Sequence, residues 1–191
     1  MFIGDYWTIN NIVWRIAGFD YWYGFGNPVC STHHVVIVPD VNLVSSNGQT
    51  KLLNSTASTN GGYVGTDFYS GRNGNTAKEQ ARTIVQNAFG ITHILNHKEY
   101  LCNAVTNGYE SGGGWYDSEI ELMSERMIYG TQIQGNKKAY SEDLMLYTID
   151  STQLPLFAFD RSKINNGTRR WVRDVASATQ FSIIQDTGLS S

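Results

Sequence analysis

Trp115-Tyr-Asp-Ser-Glu-Ile-Glu-Leu-Met-Ser-Glu-Arg-Met-Ile-Tyr129 is the stretch from which the rest of the chain is read. Its pattern is that of one complete amphipathic helix. Ser118 and Glu121 have the spacing of a capping box: the hydroxyl accepts from the backbone N–H three residues on, and the carboxylate reaches back to the serine N–H. Gly130 supplies a left-handed residue for the stop. Ile120, Met123 and Met127 recur at helical spacing, Leu122 widens the stripe, and Glu119, Glu125 and Arg126 fall largely elsewhere. Such a helix needs an apolar surface to lie on.

Upstream, that surface reads as sheet. Residues 2–9 and 12–19 are aromatic and β-branched runs joined by Asn10-Asn11, a two-residue hairpin signal because Asn tolerates positive φ. In the second run Ile12, Trp14 and Ile16 alternate with Val13, Arg15 and Ala17. The run His33-His-Val-Val-Ile-Val-Pro39 reads as a central strand, and its adjacent histidines point to opposite faces, which argues against a shared metal. Between these strands, Asp20 to Pro28 sets Tyr21, Trp22, Tyr23 and Phe25 among glycines and a proline. These aromatics either present contact area to a partner or fold back over the sheet edge.

Residues 45–75 are rich in Asn, Ser, Thr and Gly, as a binding loop or a surface connection is. Tyr63 and Tyr69 lie in it. Gly61 to Asp67 lacks the Gly-Lys-Ser/Thr of a phosphate loop. A second helix spans 76–89, with a Thr76–Glu79 capping box and a Gly90 stop, and a third is expected from Asn96, capped by Glu99, to near Gly108. His93 and His97 stand four apart, but Asn96 between them reads as a cap, so the sequence assigns no metal and no cofactor. Gln153 to Phe159 reads as an extended arm broken by proline. The chain then offers two strands, 169–175 and 180–185, with Trp171, Arg173 and Val175 sharing one face.

The 191 residues suit one domain, 1–191. Charged residues are 16%, aromatics 13%, and the 19 glycines favour a loop-rich β-containing chain. A net charge of −3 with scattered Lys and Arg gives no basic footprint for nucleic acid. No run approaches the ~20 apolar residues that cross a bilayer, and the N-terminus lacks the pattern of a secretory signal. Cys30 and Cys102 can form a disulfide on count alone; isolated cysteines without an oxidising address more often serve as small buried hydrophobes.

In order, the elements describe an α+β domain, an antiparallel twisted sheet with two or three helices packed on it and long irregular loops. Three segments carry a resemblance. Trp115 to Glu125 resembles the Leu-Pro-Ser/Thr-Glu-x-Glu helix start of C-type-lectin-like domains of the formylglycine-generating-enzyme type. Trp171-Val-Arg-Asp174 is similar to the Trp-Leu-Arg-Ser strand of the same group. His33 to Asp40 followed by Gly61 to Asp67 resembles an uncharacterised family of phage tail, fibre and adhesin proteins. The resemblance implies a C-type-lectin-like fold in which Ser118, Glu121, Trp171 and Arg173 are structural. The Leu-Pro is replaced by Tyr116-Asp117, and neither the calcium-binding triplets of sugar-binding lectins nor the cysteine pair of the enzymes occurs, so neither chemistry follows from the fold. The family's closing strand has no counterpart, which implies either an incomplete C-terminus or an edge supplied by a neighbouring subunit.

The function expected from these readings is a non-enzymatic phage virion module, a tail fibre, adhesin or head decoration. It would be made in the host cytoplasm and assembled with other virion proteins as a homo-oligomer such as a trimer. Its candidate ligand-binding residues are Tyr21, Trp22, Tyr23, Phe25, Tyr63 and Tyr69, facing a host glycan or protein. One alternative is a purely architectural capsid or tail decoration. Another is an enzyme using Glu119, Glu121 or Glu125 as acid and base; against it, exposed helical glutamates are usually solvent partners.

Overall fold

Asn10 and Asn11 both sit at positive φ, 53° and 62°, the pair of left-handed residues that a tight hairpin needs. They join β1 (Tyr6–Ile9) to β2 (Ile12–Phe19) with Trp7 opposite Trp14. β3 (Val35–Pro39) pairs with the other side of β2, giving the order β1-β2-β3. The central strand is therefore β2 and not β3. The continuous apolar run of β3 suggested the opposite, but its Val35 is half-exposed and its ladder among the described residues is with β2 alone. One extra residue in β2 between Ile16 and Gly18 bulges the strand, and Ile16 and the following Ala17 are both fully buried.

This computed structural model describes residues 1–43, 45–46, 49–50, 77–101, 104–107, 109–111, 114–135, 137–138, 152–165, 167, 169–177, 180–185 and 187–190. Tyr63, Tyr69, Thr76 and Cys102 lie outside them. β4 (Ser45–Ser46) and β5 (Gln49–Thr50) form a minimal hairpin. Helix α1 (Ala77–Phe89) follows the expected bounds and stops at Gly90, φ 82°. Ala81 is its buried contact, and the Phe89 ring meets Trp14 edge-on at 5.1 Å.

The third helix expected from Asn96 does not form. After a 3₁₀ turn (Ile91–His93) the chain enters β6 (His97–Leu101), antiparallel to β9 (Gly114–Ser118), with His97 opposite Ser118 and Glu99 opposite Tyr116. Glu99 does not cap a helix because its carboxylate is buried beside Arg173. Between these strands β7 (Ala104–Thr106) and β8 (Tyr109–Ser111) make a hairpin, extended in parallel by β10 (Lys137–Lys138).

The helix read from Ser118 is shortened to α2 (Glu125–Tyr129). Ser118 is the last residue of β9, and 119–124 run as a non-helical connection. The cap is Ser124: its hydroxyl accepts the Met127 N–H at 3.2 Å, and the Ser124 N–H meets the Met127 sulfur at 3.4 Å. Gly130, φ 77°, makes the expected left-handed stop. Met127 and Ile128 are buried, Met123 packs against the core, and Ile120 lies half-buried.

The arm at 153–159 is corrected as well. Pro155 occupies the first turn of α3 (Pro155–Phe159), where its missing N–H costs nothing. Leu154 N–H donates to Met127 O and the Gln153 amide to Ile128 O, satisfying carbonyls at the end of α2. A second 3₁₀ turn (Arg161–Lys163) leads to β11 (Arg170–Ser177) and its antiparallel partner β12 (Gln180–Ile184). The core lies where these layers meet: Ala17, Val36 and Val38 from the three-stranded sheet, Met127 and Ile128 from α2, Phe157 from α3, and Val172 and Ile184 from the C-terminal pair. The architecture is α+β, with mostly antiparallel ladders and a few short helices.

Candidate functional site

A cleft of about 920 Å³ opens between β3, α1 and the connection after β9. Trp14, Val36, Val38 and Phe89 give it apolar walls, while His97, Glu119 and Glu121 supply polar groups. Successive side chains of a strand alternate, so His97 and Glu99 of β6 fall on one face. The 119–124 connection carries Glu121 to the same place, and β11 brings Arg173. The backbone N–H of Arg173 donates to Met123 O at 3.1 Å, tying the connection to the strand.

Here the charges pair. Arg173 Nη1 stands 2.9 Å from Glu121 Oε2 and 3.3 Å from Glu99 Oε2. His97 Nε2 lies 3.4 Å from Glu99 Oε1, and the Ser118 hydroxyl donates to Glu121 Oε2 at 3.5 Å. All four charged or imidazole side chains are less than a tenth exposed. Buried charges are retained only when paired and hydrogen-bonded, because removing each ion from water costs several kcal/mol. Arg173 thereby staples three chain segments through two carboxylates.

The other glutamates weighed as acid–base groups also have bonded tasks. Glu119 pairs with Arg82 of α1 at 3.1 Å. Glu125, expected to face solvent, is fully buried. Its carboxylate accepts the N–H groups of Ile133, Gln134 and Gly135 and the Ser190 hydroxyl. Its own N–H donates to Asp174 Oδ2 at 2.7 Å.

The aromatic loop divides sharply. Tyr21 and Trp22 belong to the core, with the Tyr21 hydroxyl donating to Thr152 O. Trp22 lies between His34, centroids 5.7 Å apart, and His97, 4.4 Å. Its backbone N–H donates to His34 Nε2 while His34 Nδ1 faces Thr32 O, an arrangement that places the histidine proton on Nδ1. Phe25 is partly buried against the core. Tyr23 is the outward one, 45% exposed, and stacks on the still more exposed His33 with centroids 4.7 Å apart and planes 9° from parallel. Asp20 holds this pair: one carboxylate oxygen contacts His33 Nδ1 and the other accepts the His34 N–H, both at 2.8 Å. These hydrogen bonds hold the Asp20 carboxyl below its ordinary 3.8. Phe19 and Val35, directly opposite in the ladder, and Val29 add exposed apolar surface.

Of the residues singled out from sequence, Ser118, Glu121 and Arg173 meet in the staple, and Trp171 lines the cleft. His97 and Glu99 were missed as partners; the signal was the His-x-Glu alternation, concealed by reading 96–108 as helical. Cys30 is a buried free thiol. Arg170, beside the cleft, has its guanidinium value pushed down by burial, and the same cause raises the Tyr129 hydroxyl, which donates to Gly188 O. Among the described residues no helix is long and apolar enough to cross a membrane. No protein-family model, curated protein or solved structure matches the chain.

Proposed function

We propose that this chain is a non-enzymatic display module of a phage particle, a tail fibre, adhesin or head decoration of C-type-lectin-like fold. It is borne as a homo-oligomer among other virion proteins and engages a host glycan or protein. The observation that carries the reading is the Tyr23–His33 stack. Two rings lie parallel at the surface, the His33 ring bonded to Asp20, on a loop anchored through the buried Tyr21 and Trp22. Rigid aromatic surface at low entropic cost is what recognition needs, and Phe19, Val29 and Val35 are further exposed apolar side chains on the same part of the sequence. The bonded partners of Glu119, Glu121 and Glu125 favour binding over acid–base catalysis.

The test is competition for host adsorption by purified protein carrying Tyr23→Ala and His33→Ala together. Both side chains are exposed, so the fold is retained, and the expected result is loss of competition. A folded double variant that competes as well as the parent removes the proposed surface. Trp22 is unsuited to this test because it is a core residue.

A further inference from the structure

His97, Glu99 and Glu121 each offer one ligating atom, and the three atoms all lie within 4.8 Å of one another. A second observation points to a ligand there. The His97 imidazole is 6% exposed, its Nε2 is aimed at Glu99 Oε1 across 3.4 Å, and neither ring nitrogen has a hydrogen-bond partner. Leaving a buried polar atom unsatisfied costs about 1–3 kcal/mol, and such an atom in a folded protein calls for an explanation, an ion among them.

We propose that His97, Glu99 and Glu121 form a binding site for a divalent transition-metal cation of the zinc type. One imidazole nitrogen and two carboxylate oxygens suit zinc, whereas calcium and magnesium favour all-oxygen shells. Arg173 does not preclude this. Its Nη1 bonds Oε2 of both carboxylates, orienting them as an outer-shell partner does, and Glu99 presents Oε1 to the imidazole. With neutral His97 the four side chains carry two negative charges and one positive, a balance that attracts a dication. Tetrahedral zinc with bonds of about 2.0–2.1 Å sets its ligands roughly 3.4 Å apart; His97 Nε2 and Glu99 Oε1 already have that separation, and with all three atoms within 4.8 Å only a small inward shift of Glu121 completes the site. His97 and Glu121 line the cleft, which gives the ion its entry path and leaves the fourth position to water.

The test is calorimetric titration of tag-free, chelator-stripped protein with zinc chloride. The expected result is one saturable equivalent, with a higher Tm in zinc than in EDTA. His97→Gln and Glu99→Gln should each weaken binding by more than about tenfold, since even outer-shell changes cost 10- to 100-fold. His33→Ala and His93→Ala, on exposed rings, should leave it unchanged. Absence of saturable binding, or binding retained by folded His97→Gln, overturns the site. Should the buried variants fail to fold, nitrogen NMR of the histidine rings in the parent protein decides. Zinc must shift a His97 ring nitrogen, and shifts confined to His33, His34 or His93 overturn the proposal.

Discussion

Replacing Glu125 by Gln changes one carboxylate oxygen to an amide nitrogen at nearly constant shape, and the structure sets the cost. Oε2 accepts from Ile133 N at 2.8 Å, Gly135 N at 2.9 Å and Gln134 N at 3.0 Å, while Oε1 takes the Ser190 hydroxyl. In the better orientation the glutamine oxygen keeps the three amides but loses the charge. Hydrogen bonds to a charged group contribute about 1.5–3 kcal/mol each and neutral ones about 0.5–1.5, so three bonds lose roughly 3 kcal/mol. Relief from burying a charge offsets part of that; the Ser190 hydroxyl can turn to accept from the new NH₂, whereas the Gln134 N–H, which also donates to Oε1 at 3.1 Å, loses that second acceptor. At about 2–4 °C per kcal/mol for a chain of this size, Tm should fall by about 6–12 °C. Urea unfolding measures the free energy, and hydrogen exchange should show the amides of residues 133–135 losing protection before the rest. A Glu125→Gln protein within about 0.5 kcal/mol of the parent, the ordinary range for a surface change, would show that the buried carboxylate does not hold the 133–135 loop.

Trp22→Ala should cost about 3–5 kcal/mol as a core truncation, whereas Tyr23→Ala should cost no more than about 1 kcal/mol for a lost exposed stack; thermal unfolding of both separates core from surface in one loop. Gly26→Ala should destabilise by about 1–3 kcal/mol, because Gly26 has φ +97° and an added Cβ would stand 3.0 Å from Lys98 O; an unchanged urea midpoint counts against that conformation. The depressed carboxyl of Asp20 contributes stability that is complete above its unfolded value of 3.8 and lost as pH falls through the lower folded value. Asp20→Asn should therefore lose less stability than the parent between about pH 5 and about pH 3, and parallel curves would contradict it.

What the sequence disclosed depended on whether the information was local. The Asn10-Asn11 turn, helix 77–89 with its Gly90 stop and the Trp171 strand were legible because turn chemistry, periodicity and β-branched content act within a few residues. Residues 118–124 were misread because a serine followed three positions later by glutamate serves a capping box and a strand end equally well. Glu121 resolves the ambiguity through Arg173, fifty-two positions away. The same long-range demand turned Asn96-x-x-Glu99 from a helix cap into the start of a strand. Glu125 looked like a solvent-facing helical charge, since nothing nearby announces that the loop amides of 133–135 will fold over it. Tyr21 and Trp22 could not be told from Tyr23 by composition, because burial within that loop is set by β3, β6 and α2 packing from outside it.

The proposed function requires the chain to be carried on a particle with the Tyr23–His33 face turned outward. Locating it in intact virions by cryo-electron microscopy tests that directly. The expected result is repeated copies on the tail or head exterior with this stack facing solvent. Particles that lack the chain, or density that buries Tyr23 and His33 against a neighbouring subunit, would contradict it.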